Sequence, residues 1–207
     1  PEAQNPIQQA ASDKQFEELQ IIGQYRHHYI LAQNDSGLIL ISIRAANERI
    51  LFEKMQHQLR ESKSESQFLL LPVTIDLSPA DTRLVNKYND NIKAIGFDVE
   101  PFGGNTFVIS AIPAAFPHEN ITGIFHDIID QLRDNPRELK RHSENFLLQV
   151  VSRSAVKGRK KMLAKEELDY LIKQLSQTQM PYSCPAGRPV LIHLSENELL
   201  RRFGRKE

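Results

Sequence analysis

The chain has 207 residues, of which 40% are hydrophobic and 25% are charged, and 26 basic residues balance 26 acidic ones. This composition is typical of a globular protein and excludes wholesale disorder. The balance of charge excludes a whole-chain field that would draw the protein to DNA or to a membrane, so such binding must rest on local patches. The single cysteine, Cys184, excludes a disulfide framework and indicates a reducing compartment.

Residues 1–19 are polar and rich in glutamine and alanine, which predicts a flexible linker at the start of the chain. We therefore expect the chain to be the downstream part of a longer protein. The linker has neither the basic start nor the apolar stretch of a secretion signal. No apolar run approaches the roughly 20 residues that a membrane-spanning helix needs, so we expect no membrane contact.

The first folded segment predicts two strands followed by a helix. The runs 29–31 and 38–41 favour strands, and 34–37 (Asn-Asp-Ser-Gly) has the composition of a turn between them. Helical spacing begins at residue 45 and continues to 61, with an apolar stripe of Ile50, Leu51, Met55 and Leu59.

A β-α-β-β-α unit is predicted over 68–134. Its first strand, within 67–77, is expected to be short and buried because it contains three successive leucines. Ser78 and Pro79 open a helix that ends near Gly96. A hairpin then turns at 103–105, and a helix follows over 119–133.

Pro136 marks the start of the C-terminal segment. One long helix is predicted after it, interrupted by the basic stretch 157–161, and a second helix is predicted over 165–177. A loop at 184–189 leads into a strand at 190–194. Ser195 is then placed to cap a last helix.

Four stretches carry a family resemblance. Residues 42–53 (SIRAANERILFE) follow a hydrophobic strand and align without gaps to the motif Asp-Gln-His-Ala-x-x-Glu-x-x-x-x-Glu. The other three are 151–154 (VSRS), 184–189 (CPAGRP) and 203–205 (FGR), which are similar to Ala-Cys-Arg, Cys-Pro-His-Gly-Arg-Pro and a terminal Phe-x-Arg. In this order and spacing they resemble the C-terminal domain of MutL-type DNA mismatch-repair proteins.

The resemblance extends over about residues 20–207 and implies an α+β fold of two subdomains. A dimerisation subdomain would be made of 20–66 and 136–207. An outer, regulatory subdomain would be inserted at 67–135.

The departures from the family pattern fall on the nuclease motif. In nuclease-active relatives the metal ligands are the His and Glu of the first motif, the Cys of the second, and the Cys and His of the third. Only Glu48 and Cys184 remain here; the other positions, including the motif's leading Asp, are Ser42, Arg44, Ser152 and Ala186. Two ligands define neither a structural zinc site nor a site that activates water, and a guanidinium repels a nearby cation.

We therefore expect no catalytic residue, no bound metal and no cofactor, and we interpret Arg49 and Glu53 as ordinary charges on the helix surface. The alternative is a metal-dependent DNA-nicking endonuclease with a divergent site around Glu48 and Cys184.

Gln67, Leu70 and Pro72 fit the pattern Gln-x-x-Leu-x-Pro. In the MutL family a segment at this position is similar to the peptides that dock on the β sliding clamp, which makes this segment a candidate clamp-binding site. The alternative is a core strand, since a run of leucines usually means burial.

The stretch 157–161 is the most basic in the chain. Lys157, Arg159, Lys160 and Lys161 are candidate contacts to DNA phosphates, and the alternative is a solvated turn between helices.

The resemblance implies a homodimerisation and docking domain that couples mismatch recognition to downstream repair without its own nuclease activity. The family's ATPase domain would lie outside this chain. The implied partners are a second copy, a sliding clamp, a MutS-type mismatch-recognition protein reached through the full-length protein, and weak local DNA contacts. The implied location is cytoplasmic and nucleoid-associated.

Overall fold

The structure is a computed structural model that describes residues 16, 18–61, 65–114, 116, 120–141, 143–158 and 161–204. Most of the expected linker, 1–15 and 17, lies outside the described residues. Within them, no helix is long and apolar enough to cross a membrane.

The strands are β1 (Gln20–Tyr25), β2 (Tyr29–Asn34), β3 (Gly37–Ser42), β4 (Ser66–Asp76), β5 (Asp98–Gly103), β6 (Thr106–Pro113) and β7 (Leu191–Ser195). The helices are α1 (Ile43–Arg60), α2 (Pro79–Ala94), α3 (Ile121–Asp134), α4 (Pro136–Arg141), α5 (Ser143–Ala155), α6 (Lys165–Ser176) and α7 (Glu196–Arg202). The presence of both helices and sheets confirms the predicted α+β class.

The chain divides into two compact units. The first contains Pro1–Ile50 and Gly158–Glu207, and the second contains Leu51–Lys157. The inserted unit is therefore longer at both ends than the 67–135 expected for the outer subdomain.

The first unit is built on an antiparallel sheet with the strand order β1-β2-β3-β7. One face of this sheet is covered by the start of α1 and by α6, and it forms a closed core with them. Gly37 is required where β3 meets β7, because a Cβ there would lie 2.3 Å from the carbonyl oxygen of Leu194. The core residues are Ile30, Ile39, Ile41, Ala45, Ala46, Leu168, Leu171, Leu175, Cys184 and Val190.

The second unit contains the antiparallel sheet β4-β6-β5 together with helices α2, α3 and α5. As predicted, Ser78 caps α2 by accepting a hydrogen bond from the Asp81 amide at 3.1 Å, and Gly96 follows the helix with a φ of 103°. The predicted stripe of α3 is confirmed, since all of its five residues are buried: Ile121, Ile124, Phe125, Ile128 and Leu132.

The structure corrects three of the predicted elements. The N-terminal sheet has an additional strand, β1, which pairs with β2 and was not predicted. The single long helix expected after Pro136 is two helices, α4 and α5. The strand β4 is mostly exposed, so its prediction as a buried strand is wrong.

Candidate functional site

The loop at 184–189 is closed by its own backbone. The Cys184 amide donates to the Arg188 carbonyl and the Gly187 amide donates to the Cys184 carbonyl, both at 2.8 Å. Ser183 and Pro189 form an isolated β-bridge at its base. The loop therefore holds Cys184 inward, where its side chain is buried in the core of the first unit, and leaves Arg188 half-exposed at 49%.

Two side chains of α1 bind this loop. The fully buried carboxylate of Glu48 accepts a hydrogen bond from the Arg188 guanidinium, with 2.9 Å between Oε2 and Nη2. Arg49 donates from Nε to the Ser183 carbonyl oxygen at 2.6 Å. The interpretation of Arg49 as a surface charge is wrong, because its side chain is buried and bound to the loop. Glu53 is half-buried.

The Arg188 guanidinium is the counter-charge of the buried Glu48 carboxylate. The hydrogen bond to the Cys184 side chain and the charge of Glu48 raise the pKa of Arg188 above its ordinary value, against the opposing effect of burial. In the described part of the chain, Oε1 of Glu48 is buried without a hydrogen-bond partner. A permanently charged guanidinium thus neutralises the buried Glu48 carboxylate.

The other four motif positions make local contacts or are exposed. Ser42 Oγ accepts from the Ala45 amide at 3.3 Å and so caps the start of α1. Arg44 is exposed, and Ala186 is exposed without a donor atom. Ser152 lies in the second unit, where its buried hydroxyl donates to the Gln149 carbonyl at 3.1 Å.

Glu48 and Cys184, the two ligand-type residues left at the motif positions, do not make a site that fits a metal ion. Across the described ranges, no group of three or more His, Cys, Asp or Glu side chains lies close enough together to hold one. A divalent ion at Glu48 would also have to displace the Arg188 guanidinium or tolerate its charge.

The candidate clamp-binding segment forms a bulge in β4. Phe68 pairs with Ala111 and Val73 pairs with Ile109, so four residues, 69–72, stand opposite the single residue Ser110. Leu70 is 97% exposed. Gln67 and Pro72 are also exposed, whereas Leu69 packs against the core and anchors the bulge.

The exposure of this segment is incompatible with the alternative of a core strand. Phe68 and Leu71 are exposed at 77% and 79%, in addition to Leu70. Large apolar side chains in water are costly, since burying one is worth about 1.5–3 kcal/mol.

The described lysines of the basic stretch are already paired. Lys157 Nζ binds both carboxylate oxygens of Asp127, at 2.8 and 2.7 Å. Lys161 Nζ binds Glu167 Oε1 at 2.9 Å. Arg159 and Lys160 lie outside the described residues. The paired lysines are weaker candidates for phosphate contacts than their sequence alone indicated.

An apolar surface that was not predicted lies on the outer face of the first unit's sheet. On this face Leu40 of β3 is the cross-strand partner of both Leu31 in β2 and Ile192 in β7. Leu38 of β3 is the partner of Leu194 in β7. Within the described residues none of the five belongs to either core; Ile192 is 56% exposed and the other four are half-buried. The signal was present in the sequence, because β2, β3 and β7 are apolar on both alternating faces, as in sheets that are covered on both sides.

The sequence of the chain is similar to those of known proteins. A family model described as the MutL C terminal dimerisation domain matches residues 22–162. The chain is 36% identical over 185 residues to the DNA mismatch repair protein MutL of Shouchella clausii, which covers 89% of this chain and 28% of that protein. Proteins of the same name from Staphylococcus saprophyticus and Staphylococcus carnosus are 31% identical over 188 residues, which is 90% of this chain and 28% and 29% of theirs.

The chain therefore spans little more than a quarter of the length of the curated relatives it matches. The resemblance inferred from the four motifs is confirmed, since the family model covers most of the chain and starts close to the first described strand. The chain belongs to the family of MutL C-terminal dimerisation domains.

Proposed function

We propose that this chain is the homodimerisation and docking part of a MutL-like DNA mismatch-repair protein and has no nuclease activity of its own. The observation that carries the proposal is the apolar outer face of the sheet, Leu31, Leu38, Leu40, Ile192 and Leu194. Contiguous apolar patches on soluble proteins mark interaction sites. The dimerising role named by the matching family model supports a second copy as the occupant of this face.

A two-fold symmetric contact suits this face. In such a dimer the same patch is used by both copies, so it has to be complementary to itself, and leucine and isoleucine rows on a sheet meet that condition. The paired domains would keep two remote ATPase heads of longer chains at high effective concentration. Mismatch recognition would reach them through a MutS-type partner of the full-length protein.

Docking is assigned to the bulge in β4. The segment is extended, it exposes Gln67 and Leu70 to a partner's groove, and Pro72 limits its freedom before binding. We propose a sliding clamp as the partner, with an affinity on the order of micromolar to millimolar, because a short peptide has few anchors.

Dimerisation is tested by sedimentation equilibrium of the chain at micromolar concentration. The expected mass is twice 23.7 kDa. Ile192→Glu places a charge within the proposed seam, at its most exposed residue, and should give a monomer. The matched control is Phe102→Glu, a change at an exposed apolar residue of the second unit, which should leave the dimer intact. A monomeric wild-type chain, or equal effects of the two variants, would refute the seam.

A further inference from the structure

The two sheets have four edge strands, and three of these are protected against pairing with a further strand. In the first unit β1 is bulged at Ile22, and the side chain of Gln24 binds the main chain of Lys161 and Leu163. In the second unit β4 has its bulge and contains Pro72, and β5 has two register shifts and contains Pro101. Bulges and prolines are devices that keep an edge strand from pairing with another chain.

The fourth edge strand, β7, has none of these features. Its register with β3 runs without a shift from the pair Gly37–Ser195 to the pair Ile41–Leu191. Its sequence, LIHLS, contains neither a proline nor a lysine. In the part of the chain that the structure describes, no strand pairs with the other side of β7. Among the edges of the two sheets, β7 is therefore the one that is open to a further strand.

The backbone groups that β7 directs to its open side follow from the ladder. The Ser42 amide donates to the Val190 carbonyl at 2.8 Å, so the pair that precedes β7 in this register is hydrogen-bonded. Hydrogen-bonded and non-hydrogen-bonded pairs alternate along an antiparallel ladder. Leu191 and His193 accordingly direct their amide and carbonyl groups away from β3. Another extended backbone matches this spacing of donors and acceptors.

The side chains of β7 define what an added strand should carry. Ile192 and Leu194 belong to the apolar outer face of the sheet, so the residues beside them should be apolar. His193 lies between them on the opposite face. Its Nε2 lies 3.1 Å from the Ser36 carbonyl oxygen, which can only accept, so in the neutral ring Nε2 carries the proton and Nδ1 is an acceptor. A hydroxyl or amide side chain beside His193 can donate to Nδ1.

We propose that the open edge of β7 binds an extended peptide of a partner protein, which joins the four-stranded sheet as an antiparallel fifth strand. The peptide alternates apolar residues, beside Ile192 and Leu194, with a hydrogen-bond donor beside His193. Main-chain hydrogen bonds supply its affinity, and the alternating side chains supply its specificity. A second copy of β7 fits less well, because antiparallel pairing centred on His193 sets two imidazole acceptors against each other. This inference goes beyond the dimer seam and the clamp segment and depends on neither.

Selection from a display library of random short peptides on the immobilised wild-type chain tests the edge. We expect enriched peptides in which apolar residues alternate with serine, threonine, asparagine or glutamine. Fluorescence polarisation of labelled copies should give dissociation constants on the order of micromolar to millimolar.

The test variant is His193→Pro, which removes the outward amide. That amide takes no part in the ladder with β3, so the sheet should remain intact. The matched control is His193→Ala, which removes the same imidazole and keeps the amide. The proline variant should weaken binding of the selected peptides about tenfold or more relative to the alanine variant. The alanine variant should stay within about threefold of wild type.

A change in the peptide provides a second test that does not depend on the folding of the proline variant. In an antiparallel pair the donor residues of the peptide are the ones that bond to the main chain of β7. N-methylation of their amides should therefore abolish binding to the wild-type chain. N-methylation of the apolar residues, whose amides face away from β7, should be tolerated.

The absence of enriched peptides would overturn the proposal, as would equal binding to the proline and alanine variants of His193. Sedimentation of the chain without peptide distinguishes the other occupant of the edge. A mass above that of the dimer that falls in His193→Pro alone would show that a second copy takes the edge, and would overturn the peptide. A monomeric chain that still binds the peptides would refute the proposed seam and leave this inference standing.

Discussion

The guanidinium of Arg188 lies 2.9 Å from the carboxylate of Glu48, a side chain with no exposed surface, and joins the loop at 184–189 to α1. In Arg188→Ala the carboxylate remains buried without a counter-charge. Losing one partner of a fully buried pair costs about 3–5 kcal/mol; because Arg188 is 49% exposed, we expect a smaller loss of about 1–3 kcal/mol in the free energy of unfolding.

Chemical denaturation measures this loss. The matched control is Arg202→Ala, which removes a surface ion pair with Glu198 and should change the free energy of unfolding by less than about 1 kcal/mol. Adding Glu48→Gln to Arg188→Ala should recover part of the loss, since a neutral amide needs no counter-charge. Equal losses in the two alanine variants would contradict the role given to Arg188.

Because the bulge in β4 is exposed, changes to the proposed docking residues should leave folding intact. Leu70→Ala should leave the free energy of unfolding within about 0.5 kcal/mol of wild type, because the side chain is 97% exposed. Combined with Gln67→Ala it should abolish capture of the protein by an immobilised sliding clamp. Ile75→Ala in the same strand is the control: it truncates a buried residue and should cost about 2–5 kcal/mol. A Leu70→Ala domain that unfolds would show a core role instead.

The purified protein is expected to contain no stoichiometric zinc or manganese and to leave supercoiled DNA intact when manganese is added. The reasons are Arg44, Ser152 and Ala186 at ligand positions and the pairing of Glu48 with Arg188. Elemental analysis and a plasmid-nicking assay provide the measurements. Reproducible nicking that is lost in Glu48→Gln, with the dimer intact, would restore the endonuclease alternative.

The start of α6 should respond to acid. Hydrogen bonds from Lys161 and from the Ala164 amide lower the pKa of Glu167 below its ordinary value of 4.5. A lowered pKa in the folded state means that the stabilisation is complete above the ordinary value and is lost as the pH falls through the lowered one. Thermal unfolding of wild type and Glu167→Gln should therefore differ near neutral pH, and the difference should disappear as the pH falls below 4.5 and through the lowered pKa of Glu167. A constant difference at all pH values would contradict the assignment.

The sequence predicted correctly those elements that depend only on residues close together in the chain. The turn at 34–37, the cap at Ser78 and the stripe of α3 depend on neighbours along the chain, and the structure contains all three. The strand β1 was missed because Gln20, Gly23 and Gln24 dilute its apolar pattern; its strand state is set by pairing with β2.

The contacts of the candidate site could not be predicted from the sequence, because they join residues that are far apart in the chain. The burial of Arg49 depends on the Ser183 carbonyl, 134 residues away along the chain. The exposure of the leucines in β4 depends on a register shift against β6, which no periodicity within β4 encodes. The motif positions did identify Glu48 and Cys184, but the pairing of Glu48 with Arg188 became visible only in the fold.

The bulge also makes β4 a natural graft site. The pairs Phe68–Ala111 and Val73–Ile109 fix the two ends of the segment, whereas Leu70 and Leu71 contribute almost nothing to the core. A foreign recognition peptide of similar length could replace 70–72 without disturbing the ladder, provided that an apolar residue is kept at Leu69. The domain could in this way be redirected to a chosen partner while its sheet, and the dimer seam proposed for the other unit, stay unchanged.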